Sequence, residues 1–173
     1  MHVDLIRDKA SRLPELPSPE SITSLKVWHC GYGSLAPIYA LPNLRRLVIA
    51  SYPDSTFEPL RSLQWLEDLE ILHFPHASSL APLAMLLGLR SLRLASLPSW
   101  DASSKRLKVE SLAPIAALPR LEVLHLLGVV PPNNSLVELE RSKSLREARI
   151  HGYGKSELER FFAATGIARA SAA

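Results

Sequence analysis

Leu44-Arg45-Arg46-Leu47-Val48-Ile49, Leu89-Arg90-Ser91-Leu92-Arg93-Leu94 and Leu121-Glu122-Val123-Leu124-His125-Leu126 carry one pattern, Leu-x-x-Leu-x-Leu, with Ile in the last place once. The fourth and sixth places are always apolar while the fifth varies (Val48, Arg93, His125), the period of a strand that buries one face. The same frame fits Ile22, Leu25 and Val27, then Leu66, Leu69 and Ile71, and more loosely Leu145, Ala148 and Ile150. Six turns therefore begin at 22, 44, 66, 89, 121 and 145, with spacings of 22, 22, 23, 32 and 24 residues. A fixed period of this size is the signature of a solenoid, and the long spacing marks one insertion in the fourth turn.

The second half of each turn repeats as well. Ser34-Leu35-Ala36-Pro37-Ile38, Ser79-Leu80-Ala81-Pro82-Leu83 and Ser111-Leu112-Ala113-Pro114-Ile115 are near copies, each followed three places later by Leu41, Leu86 or Leu118. Spacing by three predicts a short helix or 3₁₀ turn, with Ser as N-cap and Pro in the first turn, where its missing N–H costs nothing. Pro42 and Pro119 then return the chain to an extended strand.

This pattern resembles the leucine-rich-repeat family, in particular its short, proline-containing bacterial and phosphatase-regulator-like versions, over residues 22–165. The resemblance implies an α/β solenoid with a parallel concave sheet and short helices or 3₁₀ turns on the convex side. It also implies a non-catalytic module that binds a partner protein, as a regulator or inhibitor of it. The chain departs from the family at its usual asparagine position, the ninth of each turn, where Cys30, Tyr52, Phe74, Leu97, Val129 and Tyr153 stand. These side chains are expected to fill the core, and the backbone of the bends must find other partners.

A solenoid exposes its core at both ends and needs covers. Residues 1–21, with Leu5, Ile6, Leu13 and Leu16, are the expected N-terminal cap, and residues 22–155 the repeats. Residues 156–173 are the expected C-terminal helix and tail. Ser156-Glu157-Leu158-Glu159 has capping-box spacing, Leu158, Phe161 and Phe162 offer an apolar face, and Gly166 is the expected stop, with 168–173 frayed. The insertion, within 97–110 and containing Trp100, is expected to project as a loop.

Hydrophobic residues at 47% and charged ones at 21% exclude a disordered chain, and 20 Lys plus Arg against 17 Asp plus Glu is too small an excess to imply nucleic acid. The single Cys30 excludes an internal disulfide and suits a reducing compartment. Met1 to Lys9 contains Asp4, Arg7 and Asp8, so no signal-peptide core is expected there, and no apolar run reaches spanning length. A cytoplasmic protein is expected.

Alternation places the third, fifth and seventh positions of each turn on the open face of the sheet. The fifth row reads Lys26, Val48, Glu70, Arg93, His125 and Arg149, and the seventh Trp28, Ala50, Leu72, Ala95, Leu127 and His151. Asp68 joins them from the third row. An apolar line beside charges of mixed sign is the expected partner-binding surface, with Trp28 as anchor and Arg93, Arg149, Glu70 and Asp68 setting orientation. Self-association through this face fits the same pattern. Trp100 of the insertion is a further candidate contact.

Other chemistry is weakly marked. Arg45, Arg46, Arg90, Arg93, Arg146 and Arg149 line the strand edges and offer an alternative, nucleic-acid reading. Glu67, Asp68, Glu70, Glu122 and Glu147 interrupt them. His29, Ser51, His73 and Ser96 share the eighth position, which a hydrolase reading would use, but no orienting third group is specified. The pairs His73 with His76 and His125 with His151 lack carboxylates or thiols at ligand spacing, so no metal or cofactor is expected. Gly31-Tyr32-Gly33 and Gly152-Tyr153-Gly154 read as post-strand bends. Asn133-Asn134-Ser135 reads as a turn rather than a glycosylation acceptor.

Overall fold

A computed structural model describes residues 1–97 and 105–170. Eight strands form one parallel sheet in the order β1-β2-β3-β4-β5-β7-β9-β10. They are β1 His2–Ile6, β2 Ser24–Trp28, β3 Arg46–Ala50, β4 Asp68–Leu72, β5 Ser91–Ala95, β7 Val123–Leu127, β9 Glu147–His151 and β10 Ala168–Arg169. Register holds without slippage: Leu25, Leu47, Leu69, Leu92, Leu124 and Ala148 stand side by side, as do Val27, Ile49, Ile71, Leu94, Leu126 and Ile150. All of these are buried except the half-buried Ile150. A slip by one residue would turn every one of them to solvent, which is why the leucines dictate the pairing.

The first strand is a seventh turn that lies within the expected N-terminal cover. Val3 and Leu5 precede Leu25 and Val27 by one period and pair with them in register. The Met1 carbonyl accepts the Thr23 N–H at 2.9 Å, as the Thr23 carbonyl accepts that of Arg45 at 2.9 Å. The rest of the cover follows β2, where the Gly31 N–H donates to the Asp8 carbonyl at 2.7 Å. A Cβ on Gly31 would sit 3.3 Å from the carbonyl oxygens of both Lys9 and Ala10. Close approach thus explains this glycine, whereas Gly152, at φ +101°, provides the unusual backbone angle expected of both.

Strands β2, β3, β4 and β7 leave the sheet through a left-handed residue at the eighth position, respectively His29, Ser51, His73 and Gly128. The N–H of such a residue extends the ladder by one bond, as from Ser51 to the Leu72 carbonyl at 2.7 Å. The side chain at the ninth position then turns inward. Tyr52, Phe74 and Val129 are buried, and the Phe57 ring lies 4.9 Å from Tyr52 and 5.5 Å from Phe74.

Carboxylates from the following turn take the place of the asparagine ladder. Asp54 accepts the Ser34 hydroxyl at 2.5 Å and the Leu35 N–H at 2.8 Å. Glu138 accepts the Ser111 hydroxyl at 2.9 Å and the N–H groups of Leu112 and Ala113 at 2.6 and 3.1 Å. Glu157 does the same for Ser135 and Leu136 at 3.1 and 2.6 Å, and Glu110 accepts the Ser78 hydroxyl at 3.0 Å. The serines are therefore not helix N-caps in the expected sense. Ser34 and Ser111 stand one place before the capping residues Leu35 and Leu112 and accept the N–H two residues on, each at 3.0 Å. The convex segments they open, 3₁₀ at Ala36–Ala40 and Ala81–Met85 and helix α1 at Ala113–Ala116, carry Pro in the first turn.

The described end of the insertion, residues 105–110, rejoins the core. Leu107–Lys108 forms β6, paired in parallel with β8 at Val129–Val130, and Leu107 and Val109 are buried. Their apolar side chains extend the core, so residues 105–110 do not project as a loop. Trp100 lies outside the described residues.

Helix α2, Lys155–Thr165, buries Phe161 and stops at Gly166, whose N–H donates to the Phe162 carbonyl at 3.0 Å. Gly154, not Ser156, is its N-cap. The expected box of Ser156 with Glu159 is not formed; Glu159 lies 3.8 Å from the Lys155 ammonium, and Glu157 serves Ser135, Leu136 and Arg160. Of the segment expected to fray, residues 168–170 are paired: Ala168 and Ala170 donate to the carbonyls of Arg146 and Ala148 at 2.9 and 3.0 Å. Arg169, in register with Ala148, lies 4.4 Å from the Phe162 ring. A charge where every other strand is apolar discourages another strand from adding at this end.

Hydrogen bonding to Arg160 pulls the Glu157 carboxyl from 4.5 down to about 2, against the effect of burial and with help from the Leu136 N–H and the Ser135 hydroxyl. The folded value lies below the unfolded one, so this stabilisation is present above about pH 4.5 and is lost as pH falls toward 2. Protection against amide exchange at Leu136 and along α2, corrected for the intrinsic rate at each pH, is expected to fall across that window. The loss of protection should be absent in Glu157→Gln, and an identical pH profile for both proteins would show that another group controls this end.

Candidate binding surface

The additional strand lengthens the open face of the sheet. Its outer row now reads Ile6, Trp28, Ala50, Leu72, Ala95, Leu127 and His151, in register across seven strands. Beside it run Asp4, Lys26, Val48, Glu70, Arg93, His125 and Arg149, and beyond these the row containing Arg46, Asp68 and Glu147.

Trp28, Leu72 and Leu127 are half-buried and Ala50 and Ala95 buried, so the line is flatter than a row of fully exposed apolar side chains. Ile6 is the outstanding member at 53% exposure. Its signal in the sequence was its place one period before Trp28. The Lys26 ammonium lies 4.7 Å from the centre of the Trp28 ring, and the His29 ring meets that indole edge-on at 5.5 Å. Lys26, Trp28, Val48 and Glu70 share one depression of about 420 Å³ with His2, Asp4, Ser24 and Arg46. Leu72, Asp68, Arg93, His125, Leu127, Arg149 and His151 continue along the same face outside it.

Charges on this face are partly matched within the chain. Arg46 lies 3.4 Å from Asp68, and Arg93 3.5 Å from Glu70, both across neighbouring strands. Burial first, and then the cations Arg93 and Arg149, hold His125 below the ordinary imidazole value, so it is neutral at pH 7. The face is therefore an apolar line flanked by a nearly balanced charged band.

Other chemistry gains little from the geometry. His29 Nδ1 lies 3.1 Å from Ser51 Oγ, which brings together two of the eighth-position residues. Among the described residues no carboxylate hydrogen-bonds the second ring nitrogen, and His29 is exposed to water. The strand-edge arginines are interrupted by their own partners, Arg45 by Glu67 and Arg90 by Glu122 at 3.1 Å. Among the described residues no group of three or more His, Cys, Asp or Glu side chains is placed to hold a metal ion, and no helix is long and apolar enough to cross a membrane.

Comparison of the sequence with protein-family models and with curated proteins gives no match. Among solved structures the chain is similar to internalin C2 of Listeria monocytogenes, with a TM-score of 0.55 and 23% identity over 76% of this chain and 52% of that one. It is similar also to the internalin inlF of the same organism, with a TM-score of 0.55 and 19% identity over 87% of this chain and 48% of that one. The chain thus spans about half the length of the internalin structures it matches. Parallel strands in register, inward leucines at a 22-residue period and short convex turns give this chain the leucine-rich-repeat fold shared with those internalins.

Proposed function

We propose that the chain is a non-catalytic protein-binding module that holds a partner protein on the open face of its sheet, in a reducing, cytoplasmic setting, and regulates or inhibits that partner. The observation that carries this reading is the apolar row from Ile6 through Trp28 and Leu72 to Leu127, aligned across adjacent strands beside a charged band. Strands about 4.8 Å apart make a seven-stranded face roughly 29 Å across, enough to seat a helix or the edge of a domain. Contiguous apolar surface of this kind favours association, and Trp28, on the second of its strands, supplies area at low entropic cost. Arg93 and Glu70, half-exposed and paired with each other, add selectivity more than affinity.

The test compares immobilised wild type with Trp28→Ala, Leu72→Asp and Tyr39→Ala, the last on an exposed convex segment. A partner retained from native lysate by wild type and Tyr39→Ala is expected to be lost from Leu72→Asp. Binding by Trp28→Ala should weaken about 30-fold, in line with an anchor worth about 2 kcal/mol. Equal retention of every partner by all four proteins would remove the sheet face as the binding surface.

A further inference from the structure

Two hollows at the edge where the strands begin share Pro119 and Arg120. One, of about 390 Å³, is walled by Trp65, Leu87 and Gly88, and the other, of about 520 Å³, by Arg90, Lys143 and Arg146. Trp65, Gly88 and Arg120 stand directly before Leu66, Leu89 and Leu121, on three successive rungs. A Cβ on Gly88 would lie 2.9 Å from the Gln64 carbonyl oxygen, so the middle rung carries no side chain and the floor between Trp65 and Arg120 stays open. Trp65 is 64% and Leu87 51% exposed, well above the half-buried Trp28 and Leu72 of the sheet face.

The second hollow is electrostatically one-sided. Arg90, Arg120, Lys143 and Arg146 face a single carboxylate in its wall, Glu122, which is engaged with Arg90 at 3.1 Å. Arg120, Lys143 and Arg146 form no ion pair among the described residues. In a chain of net charge +3 this is a local concentration of cations joined end to end with an uncovered apolar floor.

We propose that this rim groove binds an acidic segment of a partner protein, with a large apolar side chain of the segment resting on Trp65 and Leu87 and neighbouring carboxylates meeting Arg120, Lys143 and Arg146. The basic half covers two rung spacings, about 10 Å, the length of about three residues of extended peptide. A nucleic-acid backbone fits less well, because a phosphate chain running on along the rim leaves the cations for Trp65, Leu87 and the Glu67 carboxylate that Arg45 holds. The groove lies outside the sheet face discussed above, so either surface can fail without the other.

Fluorescence anisotropy with the full chain tests this, using a labelled peptide of Leu-Trp followed by four glutamates, its glutamine counterpart, and a thymidylate oligomer of equal charge. Saturable binding of the acidic peptide is expected. It should weaken about tenfold or more with the glutamine peptide, with the double variant Arg120→Glu and Lys143→Glu, and in about 0.5 M salt. Trp65→Ala should weaken it several-fold and Trp28→Ala should leave it unchanged. Amide shift changes should centre on residues 64–66, 87–90, 119–122 and 143–146. No saturation by millimolar peptide, equal affinity for both peptides, indifference to the double variant, or tighter binding of the oligomer would overturn the proposal. If the double variant proves unfolded by circular dichroism, Trp65→Ala and the shift map decide.

Discussion

Replacing Glu138 by alanine is expected to lower the free energy of unfolding by about 3 kcal/mol, a large fraction of what a domain of this size possesses. Its carboxylate accepts three donors from the preceding turn: the Ser111 hydroxyl at 2.9 Å and the N–H groups of Leu112 and Ala113 at 2.6 and 3.1 Å. Removal leaves two backbone donors at the mouth of a turn whose Leu112 side chain is fully buried, where water replaces the carboxylate only in part. Glu138→Gln keeps the shape and one acceptor oxygen and should cost about half as much. Because each turn of a solenoid touches only its neighbours, faster amide exchange should appear first at Leu112–Ile115 and Val137–Arg141. Urea unfolding and exchange of both variants measure this, and wild-type behaviour of both would show that the carboxylates do not substitute for an asparagine ladder.

Phe57→Ala should be more damaging still, by about 3–5 kcal/mol, because it empties a fully buried site that the surrounding turns cannot collapse to fill. The ring lies 4.9 Å from Tyr52 and 5.5 Å from Phe74, tilted and edge-on respectively, and links the ninth positions of two successive turns. Phe57→Leu retains most of the volume and should cost about 1–2 kcal/mol. A thermal midpoint for Phe57→Ala within a degree or two of wild type would mean that these rings do not form the continuous core inferred from their packing.

Much of the architecture was legible before any coordinates because the inward positions tolerate one kind of side chain. Leu47, Leu69, Leu92 and Leu124 sit at zero or near-zero exposure in one row, and a row of that sort can arise only from a regular register. The apolar ninth position was likewise legible, since Tyr52 and Phe74 have no favourable place other than the core. The first strand was obscured because an edge strand has a neighbour on one side only. Val3 and Leu5 are only half-buried, and the polar or charged His2 and Asp4 stand beside them. The candidate surface was legible as a row from Trp28 to Leu127, but not its extension to Ile6 or how deeply its middle members sink between their neighbours.

The side-chain periodicity by itself determined the number of turns between Ile22 and Ile150, the direction and register of their strands, and which residues face the core. Burial of a leucine is decided locally, by where its own strand points. Only the tertiary structure decided which carboxylate satisfies which turn, that residues 2–6 and 168–170 join the sheet, and that Trp65 and Arg120 wall one hollow together with Gly88. Those outcomes depend on groups one or more whole turns apart, such as Ser34 with Asp54 and Ser111 with Glu138. A surface Asp or Glu looks the same in sequence whether it faces water or the open end of the next turn, and the rise of the solenoid alone brings the two together.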